Sequence, residues 1–317
     1  MRILVTGAAG FVGPYAARAL KELLPAAQIV GASRSWAALP DFDEMLALDI
    51  CDAPAVRRVI ASVQPTHVLH LAGIAAPGRA ASDPELAWRV NVFGTLNIAR
   101  TLLAAAPDCI LAHVGSGLVY GESARAGIPL DETALPIPLD DYGVTKMAAD
   151  MAIGSLTRKG LRAVRLRPFN HSGPGQSEDY VVPAFAMQIA RIEAGLADPV
   201  LRVGNLEAER DFLDVRDVAY AYALTLSRSE TLPPGSIFNL ASGRAQRISE
   251  ILNTLLSFSG TAIRVEPDEA RMRLTDIPTM VGDATRARDS LGWSPSHAFD
   301  QTLRDVLDDN RRRVGQR

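Results

Sequence analysis

The chain has 317 residues, of which 48% are hydrophobic, and a formal net charge of −3. A chain of this length and composition can bury a large core, in one domain or in two interleaved ones. A charge this close to neutral gives no reason to expect nucleic acid or an anionic membrane as a partner. The two cysteines, Cys51 and Cys109, have neither metal-binding nor redox spacing. With no signal peptide and no long apolar span, we expect a cytoplasmic protein that binds no metal.

The first predicted element is a short apolar strand at residues 1–6. It breaks into the turn G-A-A-G-F-V-G, which precedes an alanine-rich helical segment. This order directs backbone N–H groups and the positive end of the helix dipole at whatever occupies the turn. We expect Gly7 to take a positive φ, Gly10 to let the backbone approach a pyrophosphate, and Gly13 to allow close helix–strand packing. The pattern favours dinucleotide binding, although three glycines alone also fit an ordinary turn.

The second predicted strand, residues 28–32, is followed by Ser33 and Arg34. In proteins that select NAD, an acidic residue near this strand end accepts hydrogen bonds from the ribose hydroxyls, whereas serine and arginine suit the 2′-phosphate of NADP. The sequence therefore favours NADP(H) and leaves NAD(H) open, since Arg34 could equally be a solvated loop residue.

The elements that follow alternate between strands and helices. They are predicted as strands at residues 45–50, 67–73, 109–114 and 163–167, and as helices at 53–63, 84–106 and 142–158. This alternation predicts an α/β fold with a Rossmann-type, doubly wound parallel sheet. Beyond it the alternation is lost, so we expect a smaller mixed α/β substrate-binding cap. The dinucleotide-binding domain is placed at 1–169 with a return segment at about 211–242, and the cap at 170–210 and 243–317.

Tyr142 and Lys146 begin the last of these helices, four residues apart and on one face. An unperturbed tyrosine has a pKa of about 10. We expect the nearby ammonium to lower that pKa, as proton transfer to or from a carbinol oxygen requires. Ser116 follows a strand, at the sheet edge where ligands bind, and can hydrogen-bond the same oxygen. Taken singly, these residues also fit a surface aromatic–lysine pair and an ordinary turn serine.

Together these motifs resemble an extended short-chain dehydrogenase/reductase over essentially the full length. The likeness rests on the glycine turn, Asp49, the L-A-G turn at 71–73, Asn91, the triad formed by Ser116, Tyr142 and Lys146, and the run R-P-F-N at 167–170. It implies that Ser116, Tyr142 and Lys146 are catalytic, and that the chain forms a homodimer through the helices of Asn91 and Tyr142. The implied cofactor-binding residues are Gly7, Gly10, Phe11, Val12, Gly13, Ser33, Arg34, Asp49, Ile50, Leu71, Ala72, Gly73, Asn91, Tyr142, Lys146 and Phe169.

The C-terminal half resembles the family's nucleotide-diphosphate-sugar enzymes, through the runs R-D-F-L-D-V-R-D from Arg210 and R-L-T-D-I-P from Arg273. The resemblance implies that these two arginines hold the diphosphate and that Asp276 holds a ribose. Arginine forks suit phosphate oxygens, and a carboxylate accepts from hydroxyls; either arginine alone also fits a surface ion pair. The implied substrate-binding residues are Ser116, Tyr142, Asn170, Arg210, Arg273 and Asp276.

Residues 167–176 and 204–208 resemble the GDP-4-dehydro-6-deoxy-D-mannose reductases within this group. The likeness implies reduction of a GDP-4-keto-6-deoxy sugar at C4 by NAD(P)H to a GDP-6-deoxyhexose, GDP-D-rhamnose, with Tyr142 as proton donor. For His171, which lies in the first run, a ligand contact and plain packing are equally open.

Three other functions were weighed on the sequence. A 4,6-dehydratase needs a carboxylic acid just after the triad serine, where this chain has Gly117 and Leu118, so dehydration is not expected. A 4-epimerase that retains NAD uses the same triad and stays open as an alternative. A non-catalytic protein that senses NADP is a further alternative, disfavoured because the triad is intact.

Overall fold

The computed structural model describes residues 1–35, 38–271 and 277–315. The strands among them are β1 (Arg2–Thr6), β2 (Gln28–Ser33), β3 (Glu44–Ala47), β4 (His67–His70), β5 (Ile110–Val114), β6 (Ala163–Pro168), β7 (Asn170–Ser172), β8 (Val200–Val203), β9 (Glu209–Asp214), β10 (Ile237–Leu240), β11 (Ala245–Arg247), β12 (Arg264–Pro267) and β13 (Thr279–Met280). The α-helices are α1 (Gly13–Leu23), α2 (Ala53–Val63), α3 (Pro77–Ser82), α4 (Pro84–Ala87), α5 (Thr95–Ala105), α6 (Asp141–Thr157), α7 (Val181–Glu193), α8 (Val215–Ser227), α9 (Ile248–Ser257), α10 (Thr285–Leu291) and α11 (Phe299–Gly315).

A parallel sheet of seven strands forms the centre, in the order β10-β6-β5-β4-β1-β2-β3. The first strand lies inside the sheet, and its Ile3, Leu4 and Val5 are fully buried. Continuous apolar strands are typical of a parallel sheet that helices cover on both faces. The predicted α/β, Rossmann-type fold is confirmed, and β10 brings a late segment of the chain back to the sheet edge.

Each face of the sheet carries its own core. On one face, Leu20 of α1 and Tyr222 of α8 belong to a cluster with Ile3 and Val5. On the other, Ile60 of α2, Leu102 of α5 and Ile153 of α6 pack with Leu4. Because alternate residues of β1 enter opposite clusters, the strand ties the two helical layers together.

The later segments build smaller sheets beside the carboxyl edge of the large one. β11, β9 and β13 pair in that order, β7 also pairs with β9, and β12 pairs with β8. Helices α7, α9 and α11 pack around Phe185, Leu252 and Leu307. The predicted domain boundaries stay a prediction. Among the described residues no helix is long and apolar enough to cross a membrane.

The helix predicted at 84–106 has an unexpected middle. Between α4 and α5 the segment Trp88–Gly94 is π-helical. Such segments are rare and are found mostly at functional sites; this one carries Asn91. The predicted third strand is also shorter than expected, because Asp49 Oδ1 accepts a hydrogen bond from the N–H of Cys51 at 2.9 Å and turns the chain.

Candidate active site

A cleft of about 910 Å³ runs along the carboxyl edge of the large sheet. Parallel α/β sheets bind ligands at this edge. Most of the residues predicted for the site line it, namely Gly7, Gly10, Phe11, Val12, Gly13, Ser33, Arg34, Asp49, Ile50, Leu71, Ala72, Gly73, Ser116, Tyr142, Lys146, Phe169, Asn170 and Arg210. Asn91 lies behind the cleft, and Arg273 and Asp276 fall outside the described residues.

The glycine turn between β1 and α1 has no room for side chains. Gly7 has a φ of +73°, and a Cβ there would lie 2.7 Å from the backbone nitrogen of Ala72. A Cβ on Gly13 would lie 2.0 Å from the carbonyl oxygen of Ala8, inside the backbone of the turn. A bare backbone followed at once by a helix N-terminus presents N–H donors to a ligand. The turn therefore fits the pyrophosphate of a nicotinamide dinucleotide.

The far end of the cleft is polar. Ser33 ends β2, Arg34 is exposed beside it, and Asp49 follows β3. Arg34 forms no ion pair with any residue that the structure describes. This end therefore offers a guanidinium and a carboxylate to the ribose of an adenosine.

Tyr142, Lys146 and Ser116 meet where β5 ends. Asp140 is the N-cap of helix α6. Its Oδ1 accepts from the N–H of Gly143 at 2.7 Å, and this cap fixes the first turn, which carries Tyr142. Ser116 caps the short 3₁₀ helix Gly117–Tyr120, its Oγ accepting from the N–H of Leu118 at 3.1 Å, and its hydroxyl lowers the pKa of the nearby Tyr142. Lys146 Nζ donates to the carbonyl oxygen of Val114 at 2.9 Å.

Burial controls the protonation of both helix residues. It raises the pKa of Tyr142 to about 12, against the opposing effect of the nearby Ser116 hydroxyl. It lowers the pKa of Lys146 to about 8. The prediction of a lowered pKa for Tyr142 is therefore wrong in its net direction, because loss of hydration is the largest effect. A phenol with a raised pKa carries its proton near neutral pH, so Tyr142 is in the protonated form before any reaction begins.

Asn91 supports the site from behind. Its Oδ1 accepts from the N–H of Ile74 at 2.8 Å, and its Nδ2 donates to the carbonyl oxygen of Ile74 and to Thr145 Oγ1. A Cβ on Gly73 would lie 3.0 Å from Asn91 Oδ1 and 3.5 Å from Lys146 Nζ. The asparagine thus holds the turn after β4 against α6 from within the π-helical segment.

No carboxylic acid follows the triad serine. A Cβ on Gly117 would already lie 2.9 Å from the ring of Phe169, so the site has no space for a larger side chain there. Leu118 lines the cleft instead of an acid. Glu122, the next acidic residue, pairs with Arg125 at 2.7 Å and does not line the cleft. The group that would remove water from a sugar is therefore missing at this position.

Residues further along the chain complete the cleft. Arg210 lines it and donates from Nη1 to the carbonyl oxygen of Ile277 at 2.7 Å. The ring of His171 stacks on Phe11 with a centroid separation of 6.3 Å, and its Nδ1 is 3.0 Å from the carbonyl oxygen of Phe169. His171 is thus packed against the glycine turn, and burial lowers its pKa.

Sequence reasoning missed several residues that line the cleft. They are Arg79, Tyr180, Asn205, Tyr222 and Arg271. Asn205 lies in the run 204–208 that carries the resemblance but was given no role there. The other four lie outside the quoted motifs, and only folding brings them into the cleft. Arg79 lies on α3, which the sequence did not predict.

Comparison with known proteins connects this geometry to a family. The GDP-mannose 4,6 dehydratase family profile matches residues 4–306. The GDP-6-deoxy-D-mannose reductase of Pseudomonas aeruginosa is 35% identical over 314 residues, which cover 99% of this chain and 98% of that protein.

Two solved structures share the fold over nearly the whole chain. The structure of RMD from P. aeruginosa complexed with NADPH has a TM-score of 0.84 at 33% identity and covers 99% of both chains. The Thermus thermophilus UDP-glucose 4-epimerase in complex with NAD has a TM-score of 0.84 at 28% identity and covers 98% of this chain and 99% of that one. A nicotinamide cofactor is therefore common to both neighbours.

Proposed function

The chain belongs to the GDP-mannose 4,6 dehydratase family of short-chain dehydrogenases/reductases and is an NAD(P)-dependent oxidoreductase, and from this premise we propose that it reduces a GDP-4-keto-6-deoxy sugar at C4. The product in this proposal is a GDP-6-deoxyhexose, GDP-D-rhamnose, made in the cytoplasm. The observation that carries the proposal is an intact Ser116, Tyr142 and Lys146 site with Gly117 and Leu118 where a dehydratase needs acids.

The chain's own residues supply the proton and stabilise the charge. Bound NAD(P)H supplies the hydride that C4 accepts. Ser116 hydrogen-bonds the C4 oxygen, and the protonated phenol of Tyr142 donates its proton to that oxygen as negative charge develops there. One hydride on carbon and one proton on oxygen turn the ketone into an alcohol. Lys146, held by Val114, stabilises the phenolate that remains.

The remaining binding roles follow the positions of the described residues in the cleft, and for Arg273 and Asp276 they follow the sequence resemblance alone. The glycine turn and Asp49 are proposed to hold the cofactor's pyrophosphate and adenosine ribose. Arg210 is proposed to hold the sugar-nucleotide diphosphate together with Arg273, while Asp276 binds a ribose. Asn170, whose Nδ2 donates to the carbonyl oxygen of Asp211 at 3.3 Å, contributes to the sugar site.

A 4-epimerase remains the second candidate, since the T. thermophilus epimerase shares the fold over the whole chain. An epimerase must first take a proton from a sugar hydroxyl, whereas a reductase must give one. Ser33 and Arg34 at the adenosine end of the cleft support an exchangeable NADPH rather than a retained NAD, and therefore the reductase. The similarity to a GDP-sugar reductase at 35% identity supports the same choice.

The direct test is NADPH oxidation with freshly generated GDP-4-dehydro-6-deoxy-D-mannose, followed in the near-ultraviolet absorption of the reduced nicotinamide. We expect rapid oxidation that depends on both reactants, and NMR of the product to identify the C4 configuration. No oxidation, together with NAD that copurifies and interconversion of a GDP- or UDP-hexose, would instead establish the epimerase.

The cofactor is proposed to be NADPH, because Ser33 and Arg34 face the adenosine ribose end of the cleft. Replacing Arg34 with aspartate puts a negative charge where the 2′-phosphate would bind and supplies an acceptor for ribose hydroxyls. We expect the ratio of kcat/KM for NADPH over NADH to fall by about a hundredfold, the effect of losing one charge-assisted contact and adding a repulsion. An unchanged ratio would place Arg34 in solvent. Arg58→Asp, on α2 outside the cleft, is the matched control.

The proposed homodimer uses the outer faces of α6 and the π-helical segment. Met151 and Val144 on α6 and Phe93 on the segment are exposed apolar side chains, with Met151 61% and Phe93 58% exposed. A charge buried at such an interface is strongly unfavourable. We expect Met151→Arg to convert a dimer to a monomer in light scattering coupled to size exclusion. Leu196→Arg, also at an exposed apolar residue but in the turn after α7, should leave the mass unchanged.

A further inference from the structure

Helix α6 carries a third buried polar residue in line with Tyr142 and Lys146. Asp150 lies another four residues along the same face and is fully buried. Its carboxylate accepts from Arg165 Nη1 at 2.9 Å and from Arg167 through Nη2 at 3.0 Å and Nε at 3.2 Å. The two donors of Arg167 reach different carboxylate oxygens, which is the bidentate arrangement.

Arg167 connects Asp150 to the turn that carries Ser116. Its Nη1 donates to the hydroxyl of Tyr120 at 2.9 Å, and its guanidinium lies 5.2 Å from the centroid of that ring. Tyr120 is the last residue of the 3₁₀ helix that Ser116 caps. The ring of Tyr120 also stacks against Phe169 with a centroid separation of 6.3 Å.

Tyr120 is anchored on its other side by β10. Its hydroxyl donates to Asn239 Oδ1 at 2.7 Å, and Asn239 Nδ2 donates to the carbonyl oxygen of Leu130 at 2.9 Å. The backbone N–H of Asn239 donates to Glu132 Oε1 at 2.7 Å. The hydroxyl of Tyr120 is therefore used both as a donor and as an acceptor, and Tyr120 cannot shift without breaking one of these bonds.

The buried position of the network makes its geometry stiff. A buried charge that loses its partner is strongly destabilising, so Arg167 and Asp150 hold each other in place. Hydrogen bonds in such surroundings are stronger than in water, and a fully satisfied network specifies one arrangement. The arrangement it specifies is the spacing between α6, which carries Tyr142, and the turn that carries Ser116.

We propose that Asp150, Arg167, Tyr120 and Asn239 form a positioning network that fixes Ser116, through the 3₁₀ helix that it caps, beside Tyr142 on α6. None of the four lines the cleft, so each acts through another residue and is not catalytic. The inference uses the proton-donor role of the proposed function but applies to any reaction of the same triad. Its prediction is that Tyr120 influences turnover through Ser116 alone.

A double-mutant cycle tests that dependence. Tyr120→Phe keeps the stacked ring and removes the hydroxyl, and Ser116→Ala removes the group being positioned. We expect Tyr120→Phe alone, which removes both hydrogen bonds of the hydroxyl, to lower kcat by about tenfold. In the Ser116→Ala background it should lower kcat by less than about twofold, because coupled residues are non-additive. The dissociation constant for NADPH, measured by fluorescence titration, should be unchanged throughout.

A control variant distinguishes an effect of lost stability from an effect of a displaced Ser116. Thr225 is fully buried in α8 and its Oγ1 donates to the carbonyl oxygen of Ala221 at 2.8 Å, away from the cleft. Thr225→Val removes one buried hydroxyl bond and should leave kcat unchanged. Asp150→Glu should recover part of the kcat that Asp150→Asn loses, since it restores a carboxylate to the arginines.

Two results would overturn the positioning role. One is a kcat for Tyr120→Phe equal to that of the wild type, and the other is a loss of equal size with and without Ser116. If the wild-type protein does not oxidise NADPH with the keto sugar, the reductase proposal fails by itself. The cycle is then measured on the nucleotide sugar that the protein epimerises, where the same triad operates.

Discussion

Replacing Tyr142 with phenylalanine should lower kcat for NADPH-dependent reduction by about a thousandfold, within the range expected for removal of a general acid. The ring stays in place beside Ala80 and Ala87, so the fold and the cleft are kept. Only the hydroxyl is lost, and with it the proton that the C4 oxygen needs. The dissociation constant for NADPH should change by less than about threefold, because a single neutral hydrogen bond is worth little in net binding.

Single-turnover absorbance with saturating NADPH and keto sugar measures this step directly. Tyr220→Phe is the matched control, since Tyr220 is 41% exposed on α8 and does not line the cleft. It should react at the wild-type rate. A Tyr142→Phe protein that retained a tenth of the wild-type rate or more would show that the proton comes from elsewhere. A tenfold loss corresponds to only about 1.4 kcal/mol of activation free energy.

The alternating strands and helices could be predicted from the sequence, because the residues within and beside each element indicate its type and its ends. Helix α2 has the predicted bounds, Ala53–Val63, since Asp52 caps it, a proline lies in its first turn and its apolar residues recur at helical spacing. The glycine turn also has the predicted conformation at Gly7, where φ is positive. These are local properties, and the chemistry of a few neighbouring residues determines them.

The features that could not be predicted from the sequence depend on contacts between segments that are distant in the chain. The π-helical turn around Asn91 has ordinary helical composition, and its geometry follows from hydrogen bonds to Ile74 and Thr145. The pKa of Tyr142 was predicted in the wrong direction, because spacing along one helix shows the ammonium but not the extent of burial. The cleft-lining side chains of Tyr180 and Arg271 come from segments whose fold the pattern did not indicate.

The matched family is named for a dehydration, whereas we propose a reduction. The residues that bear on this difference lie in the turn after Ser116. The triad by itself does not separate a dehydratase from a reductase. The separation lies in whether an acid stands beside the triad serine. Here the ring of Phe169 occupies the space beside Gly117.

Replacing Gly13 with alanine should abolish NADPH binding, with a dissociation constant raised by about a hundredfold or more, as expected when a clash of several kcal/mol must be relieved. The added Cβ would lie 2.0 Å from the carbonyl oxygen of Ala8, so α1 must move away from the turn. That movement takes the N–H donors of the helix N-terminus away from the pyrophosphate. Fluorescence titration with NADPH measures the dissociation constant. The titration is done below the melting temperature of the variant, which circular dichroism gives, so that the protein is folded.

Gly78→Ala separates this effect from a general intolerance of alanine. A Cβ on Gly78 would meet no atom within 4 Å, and the residue is helical in α3. Alanine should therefore raise stability slightly, by about 0.5–1 kcal/mol, and leave NADPH affinity unchanged. Gly10→Ala is intermediate, since its Cβ would lie 3.1 Å from the carbonyl oxygen of Gly7. Wild-type affinity in a folded Gly13→Ala protein would mean that the turn can relax around a side chain, and that the cofactor does not depend on its bare backbone.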